Sequence, residues 1–203
     1  TEIADVAAAV AGAFAAVDGV IRPGMKVCLA AGSRGIDRID QVVRAAVAEV
    51  RRRGGEPFII PAMGSHGGAT AEGQTQVLAS LGITPEAMGC EIRASMETVR
   101  IGSVEEGVPV FVDRIAWEQA DVIIPINRVK PHTDFHGPVE SGLLKMIAIG
   151  LGKQKGADTF HAVGFAHFHR LIPAVGRFTL SQGRIPFGLA LVENGYGRLC
   201  IIE

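Results

Sequence analysis

Apolar positions along the chain alternate between two rhythms. Short continuous runs at residues 25–31 (MKVCLAA), 57–61 (PFIIP), 121–126 (DVIIPI) and 187–192 have the length and composition of strands buried on both faces. A run at 108–112 reads as a further strand, with a hairpin or loop tip at 102–107 before it. Between the first two runs, Ile36, Ile39, Val43, Ala46, Val47 and Val50 recur at helical spacing, and Arg51, Arg52 and Arg53 close that helix before Gly54 and Gly55. Residues 3–17 predict an amphipathic helix, 71–81 a helix stopped by Gly82, 139–151 a buried helix, and 153–178 a helical stretch broken at Gly164 and Pro173. The β-α-β-α order predicts a three-layer α/β domain, a mostly parallel sheet with helices on both faces.

Composition narrows the classes. The chain has 203 residues, 48% hydrophobic and 20% charged, with a formal charge of −1, which is a globular composition with no basic run to hold nucleic acid. Cys28, Cys90 and Cys200 form neither a CxxC pair nor an even disulfide set, which points to a reducing cytoplasm. No apolar stretch is long enough to span a membrane, and the Ala-rich opening carries Asp5 and lacks the basic start of a signal peptide. The absent initial Met and the stop at Glu203 after an apolar run lead us to expect one N-terminal domain over residues 1–203, cut from a longer protein.

In an open α/β sheet, ligands bind beyond the carboxyl ends of the strands. Four polar or glycine-rich segments are predicted there: 32–35 (GSRG), 64–68 (GSHGG), 127–137 (NRVKPHTDFHG) and 193–195 (ENG). In the second, Gly67 and Gly68 let the backbone approach a ligand at a helix N-terminus. The alternative is a plain strand-to-helix turn, but such a turn needs no imidazole, and His66 stands among its glycines. Arg34 could clamp a phosphate or carboxylate, or be a solvated arginine. The third segment holds Arg128, Lys130, His132, Asp134 and His136, with Pro131 and Pro138 arguing against a helix. Lys145 lies among Leu143, Leu144, Met146, Ile147 and Ile149. Its helical neighbours Ser141, Gly142 and Ala148 are small, which leaves space beside the amine. A buried stem with a snorkelling head is the other reading. His161, in TFHAVGF, has no feature of its own that marks it as functional.

Taken together, PAMGSHGGAT, KPHTDFHGPVESGLLKMIAIGLG and ADTFH resemble the lactate racemase family of nickel-pincer-dependent 2-hydroxyacid racemases and epimerases. The resemblance implies a pyridinium-3,5-bisthiocarboxylic acid mononucleotide holding nickel as cofactor. It implies that Lys145 tethers this nickel-pincer nucleotide as a thioamide and that His161, sixteen residues later, ligates nickel. His66 and His132 become the two acid–base histidines, with His136 a rival for the second role because the segment before Lys145 is long. Arg34, Gly67 and Gly68 become cofactor or substrate contacts. A C-terminal domain of the same protein, beyond this chain, is expected to contribute much of the substrate pocket.

That chemistry suits the residue types. Breaking an unactivated Cα–H bond beside a carboxylate is easier by hydride removal than by proton removal, and a neutral imidazole can take the hydroxyl proton. Two other readings stay open from the residues alone. One is a metal-dependent hydrolase built from His66, His132, His136 and His161, which leaves Lys145 without a role. The other is a non-catalytic nucleotide- or anion-binding module using only the glycine-rich turns.

Overall fold

The computed structural model describes residues 2–104, 107–131, 139–164 and 167–203. In the main sheet β1 (Lys26–Ala31) lies between β2 (Glu56–Pro61) and β5 (Val122–Arg128). The five-stranded sheet runs in the order β2-β1-β5-β6-β7, with β6 at Leu189–Glu193 and β7 at Leu199–Ile202. All neighbours are parallel except β6 and β7. The fold is therefore α/β with a mostly parallel sheet, as the periodicity predicts.

Alternate residues of β1 feed two separate cores, which is why its run is apolar without interruption. Val27, Leu29 and Ala31 enter one core with Val10, Phe14 and Val43, whereas Cys28 and Ala30 enter the other with Ala116, Met146 and Ile147. The first layer comes from α1 (Val6–Ala15) and α2 (Ile39–Arg52). Asp5 caps α1 by accepting from Ala8 N–H at 2.9 Å, and Val6, Val10 and Phe14 form its buried stripe. Arg51 and Arg52 end α2, where basic side chains face the negative end of the helix dipole.

The opposite layer includes α5 (Arg114–Gln119), α6 (Gly142–Lys145) and α8 (Phe168–Ser181). Two elements are irregular. The buried helix expected at 139–151 is a short α-turn followed by a π-turn at Met146–Gly150, in which Leu151 N–H donates to Met146 O at 2.9 Å. The helical stretch after it does break at Gly164, where α7 (Lys153–Val163) ends, but Pro173 does not break α8. That proline lies only in the second turn and forgoes one hydrogen bond, while Leu171, Ile172 and Val175 around it are buried.

The run at 108–112 does form a strand, β4 (Pro109–Asp113), but not in the main sheet. It pairs antiparallel with β3 (Thr98–Ser103) as a separate hairpin. Val108 and Val110 close a third core against Phe160, Phe168, Ile172 and Val175 of α7 and α8. Among the described residues, no helix is long and apolar enough to cross a membrane.

Candidate active site

The segments after β1, β2 and β5 converge, as expected at the carboxyl edge of a parallel sheet. They border a cleft of about 360 Å³ lined by Ser33, Arg34, His66, Arg128, Lys130 and Lys145, with Met63, Met146 and Ile149 as its apolar wall. The fourth rim segment joins from behind. Glu193 forms an ion pair with Arg128 and accepts from Asp37 N–H at 2.7 Å.

His66 sits on the turn between β2 and α3 (Ala71–Ser80). The turn is tight because glycine makes up most of it. Gly67 has φ 67°, and a Cβ there would lie 2.7 Å from Gln74 N. A Cβ on Gly73 would lie 1.9 Å from Gly67 O, so the turn and the first turn of α3 are in backbone contact. Thr70 starts α3 by accepting from Gly73 N–H at 3.0 Å. Gly67 is thus required by packing against α3, and neither Gly67 nor Gly68 lines the cleft.

Ser33 Oγ lies 2.5 Å from His66 Nδ1. This contact orients the imidazole and leaves Nε2 for proton exchange. Partial burial, then the charges of Arg34 and Lys145, hold the imidazole below its usual 6.5. His66 is therefore neutral at pH 7. The residue as a whole is nevertheless exposed at the cleft mouth, which keeps it accessible.

Lys145 is half-buried and lines the same cleft, on the turn before the π-turn. Gly142, with φ 80° and its α-carbon face against Val129, starts that helix. Two contacts pin the segment: Asn127 Nδ2 donates to Gly142 O at 3.0 Å, and Lys130 N–H donates to Ser141 Oγ at 2.7 Å. Ser141 Oγ also donates back to Lys130 O. His132 and His136 lie outside the described residues.

His161 is not among the residues that line the cleft. It is exposed on α7, its ring centroid 5.9 Å from that of Phe168. One continuous helix would separate Lys145 from His161 by about 24 Å. The chain instead passes through the π-turn and a left-handed residue, Lys153 (φ 54°), between them. Among the described residues, no three His, Cys, Asp or Glu side chains are grouped to hold a metal ion.

Sequence reasoning missed the support beneath the cleft. Lys153 is fully buried, and its Nζ lies 3.0 Å from Asp113 Oδ2, 2.5 Å from Pro61 O and 3.1 Å from Gln74 Oε1. Burial pushes the lysine pKa down, and Asp113 opposes that shift. Nothing in the sequence singles out Ser33, Arg34's neighbour in the first rim segment, as the partner of His66.

The architecture is an α/β domain with a cationic cleft at its strand ends and a neutral histidine at the mouth. The chain belongs to the lactate racemase N-terminal domain family, which matches residues 5–170. No curated protein matches it.

Proposed function

We propose that this chain binds the nickel-pincer nucleotide and, with the rest of its protein, racemises or epimerises a 2-hydroxyacid. The observation that carries this reading is a single cleft lined by His66, Arg34 and Lys145, residues far apart in sequence, in a member of the lactate racemase N-terminal domain family. A cleft of about 360 Å³ suits a small ligand. Its cations suit a phosphate and a carboxylate, and the Lys145 amine suits a covalent tether. The organic part of the cofactor therefore fits this donor set. The nickel-ligand role of His161 rests on its spacing from Lys145 in the family pattern.

When bound, the nickel-pincer nucleotide supplies reversible hydride acceptance, so that the Cα–H bond can break without a carbanion beside the carboxylate. The protein's own residues supply binding and proton transfer. Arg34 pairs with an anionic group of substrate or cofactor. With Nδ1–H donated to Ser33 Oγ, His66 Nε2 takes the substrate hydroxyl proton and returns it on the reverse step. The same duty for the opposite enantiomer falls to His132.

The test is made on the full-length protein matured with the enzymes that build the cofactor. Adduct mass, nickel content and racemisation rate are measured on each variant. Lys145→Ala should lose the covalent adduct and activity while keeping the fold. Lys145→Arg should fail as well, because a guanidinium cannot form the thioamide. His161→Ala should weaken nickel retention but keep the organic adduct. His66→Ala should keep both and slow turnover by about two to four orders of magnitude. Full activity in Lys145→Ala, with no adduct on the wild type, sinks the mechanism.

A further inference from the structure

Lys153 is buried where several elements meet. Its ammonium touches the end of β2 through Pro61 O, the end of β4 through Asp113, and α3 through Gln74 Oε1. The amide of Gln74, itself fully buried, then faces the other way. Its Nε2 donates to Gly64 O at 2.8 Å and to His66 O at 3.1 Å. The chain from Asp113 through Lys153 and Gln74 thus ends on the backbone of the histidine at the cleft mouth.

The same lysine follows the other wall closely in the chain. It is the first residue of α7 and takes φ 54°, a conformation that residues other than glycine rarely adopt. The π-turn that follows Lys145 ends just before it, at Gly150. Gly150 O accepts from Gly64 N–H at 3.1 Å, and Leu151 O accepts from Asp113 N–H at 2.7 Å. A Cβ on Gly150 would lie 2.6 Å from Ala62 O, so the two walls touch through backbone. A charged pair is costly to bury, and strained backbone persists only where its surroundings hold it.

We propose that Lys153 and Gln74 are positioning residues that lock the His66 turn in register with the segment carrying Lys145. The catalytic meaning of that register rests on the racemase reading, but the lock itself does not. A lock of this kind holds the proton-exchanging ring and the tethering amine on facing walls before any ligand arrives.

Gln74→Met keeps the side-chain length and removes both donations to the turn. It is examined in the full-length protein without cofactor, by amide hydrogen exchange and by NMR titration of the His66 imidazole. Exchange at the Gly64 and His66 amides should accelerate about ten- to a hundredfold, the effect of losing two hydrogen bonds. Exchange in β1 and β5 should not change. The His66 pKa should rise toward that of an ordinary imidazole as the ring gains water. If Gln74→Met does not fold, Gln74→Glu replaces it. That variant retains a partner for Lys153 and can donate at most one of the two bonds, so the same direction is expected. Unchanged exchange and titration in the folded variant overturn the proposal, whatever the activity. A released turn in a protein whose wild type shows no racemisation leaves the lock standing and removes the racemase reading.

Discussion

Removing the Lys153 ammonium should cost more stability at neutral pH than at acid pH. Lys153→Met retains most of the apolar stem but leaves Asp113 as a buried charge. Asp113 Oδ1 still accepts from Ala116 N–H at 2.9 Å, whereas among the described residues Oδ2 has only the 3.0 Å ion contact and would lose it. Breaking a buried pair from one side costs about 3–5 kcal/mol. In a chain of this size that lowers Tm by about 6–20 °C. The carboxyl has one escape, which is to bind a proton. For a carboxyl of ordinary acidity this costs about 4 kcal/mol at pH 7 and about 1.5 kcal/mol at pH 5. In the variant the folded state would hold a proton that the unfolded state releases, so its stability should fall as pH rises over that range. Urea unfolding of wild type and variant at pH 5, 6 and 7 measures the difference. Adding Asp113→Asn should recover most of the loss, since the amide oxygen can still cap α5. A loss below about 1 kcal/mol, or one that is the same at pH 5 and pH 7, refutes the reasoning.

Further outcomes concern the turn that carries His66. Because its imidazole pKa is lowered from 6.5, the acid limb of kcat/KM should fall at a pH below 6.5, and Arg34→Ala should move the His66 titration upward in NMR of the cofactor-free protein. Between the lowered folded pKa and 6.5, the unfolded chain binds the proton first, so the His66 contribution to stability declines as pH falls through that window. Gly73→Ala would drive a Cβ to within 1.9 Å of Gly67 O. It should cost about 1–3 kcal/mol or more in thermal unfolding and displace the turn, whereas Gly68→Ala meets no atom of the described residues within 4 Å and is limited by its φ of 64°.

The main sheet was legible because its strands are buried on both faces, which leaves an apolar run without alternation. The same signal could not say which sheet a run joins. Residues 108–112 read like the others, yet β4 belongs to a separate hairpin because its partner is the neighbouring β3. β7 is only Leu199–Ile202, too short to stand out as a strand. The Asn194–Gly195 turn signal was present, and Asn194 N–H does donate to Arg198 O at 2.8 Å to close that hairpin. The breaker rule fails at Pro173 because it takes no account of how near the helix start the proline falls.

For the site, strand-end logic brought Arg34, His66, Arg128 and Lys130 to one edge without any knowledge of side-chain contacts. Lys145 was found because charge is costly among apolar neighbours. By the same physics Lys153 is the more buried lysine, yet it was invisible. Its neighbours Gly152, Gln154 and Lys155 are small or polar, so nothing local marks it as interior. Its three partners are 40 to 92 positions away: Asp113 in β4, Gln74 in α3 and Pro61 in β2. Buried polar groups are held by whatever the fold brings to them, and hydropathy along a single segment carries no information about a partner on another. The cleft lining is therefore readable from where strands end. The network that fixes the histidine turn against the lysine segment becomes visible only when β2, β4, α3 and α7 are seen together.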